Sequence, residues 1–104
     1  MVNEDLLKRI RDRLRAAYQD RLQGLVLYGS SAREEASPES DIDLLVLLKG
    51  PVALGKDLET IIDALYPLQL EVLRPIHASP VDVQVFEAGE FALYRNAKRE
   101  GIRL

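Results

Sequence analysis

Tyr28-Gly29-Ser30-Ser31-Ala32-Arg33 and, soon after it, Ser40-Asp41-Ile42-Asp43-Leu44-Leu45-Val46-Leu47-Leu48 form the stretch whose reading decides the fold. Ten residues, Ser31 to Ser40, separate Gly29-Ser30 from Asp41-Ile42-Asp43. At average usage, such a Gly-Ser and Asp-x-Asp pair at one fixed distance arises about once in 10⁵ start positions. Each half adjoins an apolar run: Leu25-Val26-Leu27-Tyr28 reads as a short buried strand, and Asp41 to Leu48 as a second. The second is apolar at nearly every position after Asp43, the pattern of a strand covered on both faces.

The two halves bring complementary chemistry. Alternation along a strand puts Asp41 and Asp43 on one face and Ile42 and Leu44 on the other. At about 7 Å apart, two such carboxylates can share one or two hard cations. Strand capping alone would leave their mutual repulsion unexplained, since the apolar strand behind them limits screening by water. Gly29-Ser30 ends one strand and opens a brief helix expected over Ser31 to Ala36. Unpaired N–H groups there suit an anion, Gly29 admits a phosphate close to the backbone, and the Ser30 hydroxyl adds a donor. Arg33, one turn on, is either a phosphate contact or a solvated helix residue. Nucleotidyl transfer needs both parts, a grip on a triphosphate and divalent cations beside it.

Working outward, Leu6, Leu7, Ile10, Leu14, Ala17 and Tyr18 recur at helical spacing, predicting an amphipathic helix over residues 4 to 22, capped by Asn3 and ended by Gly24. Lys49-Gly50-Pro51 closes the second strand. Leu58, Ile61, Ile62 and Leu65 mark a further helix, which Pro67 ends or kinks. In residues 68 to 80, Leu70, Val72 and Leu73 either extend that helix or start an edge strand. Val81 to Phe86 alternates and reads as a third strand, with a last helix from Glu87 to Arg99. The pattern is α+β or α/β, with three or more strands backed by helices.

On the third strand Asp82 interrupts Val81-Asp82-Val83 and is the natural third metal ligand if that strand pairs beside Asp41 and Asp43. Glu71 and Glu87 are rivals outside any well-formed strand. His77, the only histidine, reads as a residue of a Pro-flanked loop. Arg9, Arg11, Arg13 and Arg15 spread around their helix, and Tyr18, Tyr66 and Tyr94 fall near apolar stripes as packing residues.

Composition removes several classes of function. The 104 residues suffice for one domain over 1–104, and 47% hydrophobic residues allow a core. A formal charge of −3 argues against extensive nucleic-acid binding. Without cysteine there is no disulfide, thiolate metal site or thiol nucleophile. The acidic start Met1-Val2-Asn3-Glu4-Asp5 is unlike a signal peptide, and no apolar run approaches a membrane span, so a soluble cytoplasmic protein is expected.

With these residues in place, the chain resembles the DNA polymerase beta-like nucleotidyltransferase superfamily, and within it the minimal nucleotidyltransferase (MNT) branch. Gly29 to Arg33 and Ser40 to Val46 match that branch nearly residue by residue, while the ending Arg99 to Leu104 is a weaker likeness. The resemblance implies a small mixed sheet flanked by helices, two Mg²⁺ ions and an NTP donor, usually ATP. It also implies a HEPN-domain toxin as partner, which some MNT antitoxins modify by transferring AMP to a tyrosine. Two other functions are open: an antitoxin that neutralises its partner by contact alone, and nucleotidyl transfer to a small molecule, which would need an acceptor pocket that the short chain could build only by dimerising.

Overall fold

The computed structural model describes residues 3–32 and 40–104. Asn3 caps α1 (Glu4–Tyr18), its side chain accepting from the Asp5 N–H at 2.7 Å. This helix buries Ile10 and Leu14 and is shorter than its periodicity suggests. Gln19, at φ 52°, ends it, and a 3₁₀ turn over Gln19–Arg21 follows. The Arg21 guanidinium donates to the carbonyls of Lys49 (3.0 Å) and Pro51 (2.7 Å), which draws the chain off the helix before Gly24. Strand β1 (Leu22–Tyr28) therefore starts three residues earlier than expected and contains Gly24 at an irregularity in its pairing.

Gly29, at φ 68°, turns the chain out of β1 into a 3₁₀ turn over Gly29–Ala32. The rest of the expected 31–36 helix lies outside the described residues. Strand β2 (Ile42–Leu48) is buried from Leu44 to Leu48. Helix α2 (Leu54–Gln69) passes through Pro67 instead of stopping there. Its last turn is held by buried Leu68 and by Gln69, whose side chain accepts from the Ile76 N–H at 2.7 Å and donates to the Arg74 carbonyl at 2.9 Å.

The third strand differs most from expectation. It is β3 (Ile76–Asp82), and Val83–Ala88 forms the short helix α3 instead of continuing it. Asp82 accounts for the break: its side chain accepts from the Gln84 N–H at 2.8 Å and caps α3, and the helix then buries Phe86. Leu70, Val72 and Leu73 belong to neither a helix nor a strand. Helix α4 (Ala92–Glu100) leads into β4 (Ile102–Arg103).

The sheet runs β3-β2-β1-β4, with β1 antiparallel to β2 and β4, and β2 parallel to β3. It is a mixed sheet with helices on both faces, as expected. Ile42, Leu44, Val46 and Leu48 pack with α1 and α2, while Leu45 and Leu47 pack with Val81, Phe86 of α3 and Ala97 of α4. Burial on both faces is worth about 2 kcal/mol for each such side chain, which explains why β2 tolerates polar groups only at its start.

Candidate active site

Register places one row of side chains across three strands: Tyr28 on β1 opposite Asp43 on β2, and Asp43 opposite His77 on β3. Asp43 is half-buried, and burial lifts its carboxyl above the usual carboxylate range. His77 pulls the other way, and the negative charge of Asp41 adds to the rise. The expected pair of like charges at the start of β2 is thus present and electrostatically coupled.

Gly29 supplies the other wall. A Cβ at this position would lie 2.8 Å from Asp43 Oδ2, and φ of 68° is itself a backbone state that side chains disfavour. The bare backbone of Gly29 therefore abuts the carboxylate. Ser30 continues the same turn, as the sequence suggests, and Arg33 lies outside the described residues. A cleft of about 290 Å³ opens beside Gly29, between Tyr28 and the α4 residues Leu93, Asn96 and Glu100.

Asp82 is not brought to this site. It pairs with Leu48, at the far end of β2 from Asp43, about 17 Å along the strand at 3.3 Å per residue. There it caps α3 and lies so close to Gly50 that a Cβ on that glycine would overlap its carboxylate. The expectation of a third ligand at Asp82 fails because β3 begins at Ile76, so parallel pairing aligns His77, not Asp82, with Asp43. Glu71 and Glu87 are also elsewhere: Glu71 pairs with Arg9 at 2.6 Å, and Glu87 with Arg103 at 2.7 Å.

His77 is on a strand beside the acidic pair and not in the loop that its sequence context predicts. It lies on β3, half-exposed, with Nε2 at 3.1 Å from Asp41 Oδ2. The one signal for it was a lone imidazole a few residues before an apolar strand; the register that gives it meaning is not a local property. Tyr66 is likewise not a packing residue, being 57% exposed on α2. Tyr94 does pack, edge-on to Phe91 and tilted against Phe86.

Among the described residues, no group of three His, Cys, Asp or Glu is arranged to hold a metal ion. Asp41 and Asp43 offer hard oxygen donors without a complete cage. That donor set fits Mg²⁺, which commonly takes one or two carboxylates and completes its shell with water and substrate phosphates. No described helix is long and apolar enough to cross a membrane.

Comparison with known proteins agrees with this geometry. The nucleotidyltransferase domain family model matches residues 7–104. A Methanocaldococcus jannaschii protein named "Putative protein adenylyltransferase" is 30% identical over 102 residues, covering 97% of this chain and 96% of its own. Among solved structures, a "putative nucleotidyltransferase" from Sulfolobus solfataricus superposes with a TM-score of 0.67 at 16% identity, over 95% of this chain and 76% of that one. A toxin–antitoxin structure with AMP-PNP gives a TM-score of 0.63 at 19% identity, over 98% and 72% of the two chains. A mutant form of the toxin–antitoxin MntA–HpeT gives 0.61 at 20% identity, over 100% and 72%. These structural likenesses establish a shared fold.

Proposed function

The chain belongs to the nucleotidyltransferase domain family, as a minimal (MNT-type) member, and on that premise we propose that it transfers AMP from ATP to a hydroxyl group of a partner protein. The observation that carries this reading is the placement of Asp43 against the bare backbone of Gly29, with the negative charge of Asp41 acting on it. The full-length similarity to a protein named as a protein adenylyltransferase supports a protein acceptor over a small molecule.

In this reading the Gly29-Ser30 backbone receives the outer phosphates, and the missing side chain of Gly29 lets that turn lie directly against Asp43. Asp41 and Asp43 hold Mg²⁺, which when bound supplies positive charge at the phosphate oxygens. The acceptor oxygen bonds to the α-phosphorus, the bond from that phosphorus to the bridging oxygen breaks, and pyrophosphate leaves with the electron pair. The hydroxyl proton passes to water. Asp82 takes no part, because it lies beside Leu48 at the other end of β2.

The partner we propose is a HEPN-type toxin, neutralised by this modification in the cytoplasm; toxin–antitoxin structures with the same fold support it. One observation favours a second reading, neutralisation by contact alone: no third carboxylate joins Asp41 and Asp43 among the described residues. The two are separated by incubating the chain with Mg²⁺ and each NTP, with and without the protein encoded beside it, and weighing the products intact. A gain of one or more nucleoside monophosphates on that protein, lost in Asp41→Asn/Asp43→Asn, supports transfer. Neutralisation with no gain for any nucleotide leaves contact alone.

A further inference from the structure

We propose that the groove between α2 and β3 receives a basic, apolar-anchored segment of the acceptor protein, an inference that rests on the protein-acceptor reading above. The groove has a volume of about 280 Å³ and an apolar lining that includes Leu58, Ile62 and Tyr66 of α2 and Ile76 and Ala78 of β3. Ile62 and Tyr66 are 55% and 57% exposed, although their neighbours Ile61 and Leu65 are buried. Two large apolar side chains one helical turn apart, open beside a groove, are a surface suited to a partner.

Charge selects the partner. Glu59, Ile62, Asp63 and Tyr66 fall at the spacing of a single helix ridge, so the apolar pair is interleaved with two exposed carboxylates. From Asp57 to Gln69, α2 carries no lysine or arginine, and Asp57 itself is already paired with Arg21. An acidic edge on the α2 side of an apolar floor complements a cationic segment and repels nucleic acid. It also disfavours a second copy of the chain, since a two-fold pair would set like edges against each other.

Position connects the groove to the chemistry. His77 lines one end of it and also lies 3.1 Å from Asp41, so the groove ends beside the acidic pair, although Asp43 stands on the opposite face of the sheet from Ile76 and Ala78. β3 is the outer strand of the sheet, which leaves that side of the groove open among the described strands. A transferase acting on a protein needs such a surface, because its acceptor oxygen must be held in line with the phosphorus.

The test uses two fluorescent peptides, each with one tyrosine and two leucines, one carrying four lysines and the other four glutamates. Fluorescence anisotropy with the whole chain should show the lysine peptide binding about tenfold or more tightly than the glutamate peptide, with the gap narrowing as salt rises. Ile62→Ser/Tyr66→Ser should weaken the lysine peptide about tenfold, and Glu59→Lys/Asp63→Lys should reverse the preference. Asp41→Asn/Asp43→Asn should leave peptide binding unchanged, so a failure of the transfer reading would show in the mass assay and not here. Equal binding of the two peptides, or unchanged binding in either groove variant, would overturn the proposal. So would a dimer in sedimentation velocity that Ile62→Ser/Tyr66→Ser dissolves, because the groove would then belong to a second copy.

Discussion

Asp57 and Asp43 are both withdrawn from water on the same small domain, yet the chain treats them in opposite ways. Asp57, 3% exposed near the start of α2, accepts from both terminal nitrogens of Arg21 (2.7 and 3.0 Å), from the Tyr18 hydroxyl (3.1 Å) and from the Ala53 N–H (3.0 Å). The hydrogen bonds from Arg21 hold its carboxyl below the ordinary range against the effect of burial. Tyr18 is correspondingly pushed up to about 12, by burial first and then by Asp57. Asp43 instead has its carboxyl raised by burial, with Asp41 adding to the rise. One acid is completed by its own chain; the other sits where a positive charge from outside the chain would relieve it. That contrast separates a carboxylate bound into the fold from one placed to suit the proposed cation.

The largest expected effect tests the functional side. Asp41→Asn/Asp43→Asn should lower AMP transfer by about 10³-fold or more, the scale of losing a charge-stabilising element at the reacting phosphate. It should not lower the melting temperature, since it removes repulsion. A large loss of stability would erase the distinction from Asp57.

Next comes Asp57→Asn, which removes the negative charge facing the Arg21 guanidinium and leaves it only the Lys49 and Pro51 carbonyls and a neutral amide. We expect about 3 kcal/mol of destabilisation in urea titrations, at the low end for breaking a buried pair because Arg21 is about a third exposed. Transfer per folded molecule should persist at 25 °C. Selective loss of transfer with unchanged stability would move Asp57 into the site.

A smaller effect probes the wall of the site. Gly29→Ala should cost about 1–2 kcal/mol for the positive φ and should reduce transfer further, because its Cβ would press on Asp43 Oδ2. Gly55→Ala is the control: its Cβ meets nothing within 4 Å in the first turn of α2, so alanine should be neutral or stabilising by up to about 1 kcal/mol. Differential scanning calorimetry beside the transfer assay distinguishes strain from chemistry.

The smallest effect is in pH dependence, and its sign differs between the two acids. Asp57 has a lowered native pKa, so its contribution is present above about pH 3.9, the unfolded value, and is lost as pH falls through the native one. Asp43 has a raised native pKa, so its ionised form costs stability at neutral pH, and that cost disappears as pH falls through the native value toward about 3.9. Asp43→Asn should therefore raise the melting temperature at pH 7, and the gain should vanish near pH 3.5. A gain that persists in acid would show that charge is not its source.

Much of this was written locally. The cap at Asn3 and the doubly buried run Leu44 to Leu48 are read within a few residues each, and the structure agrees with both; it also brings Gly29 against Asp43. What failed depended on partners distant in sequence. Val81, Val83 and Val85 alternate as a strand should, but Asp82 finds the Gln84 N–H and Phe86 finds Leu45, Leu47 and Ala97, so packing turns the segment into a helix. His-Ala-Ser-Pro has little strand propensity and becomes a strand because parallel pairing with β2 uses its backbone. Asp57 carried no sign of its role, since nothing near it announces Arg21, thirty-six residues away.

The row Tyr28–Asp43–His77 also sets an order of assembly. Tyr28 and Asp43 are 15 residues apart in an antiparallel pairing, whereas Asp43 and His77 are 34 apart and meet only after the α2 crossover is in place. The longer closure costs about 0.7 kcal/mol more in chain entropy, and parallel pairing at greater separation is the slower event. The acidic pair and its glycine wall are thus expected to form before the histidine arrives, and before the groove beside α2 exists. In pulse-labelling hydrogen exchange, amides of β1 and β2 should gain protection ahead of those of β3, making the groove beside α2 a late-forming part of the molecule.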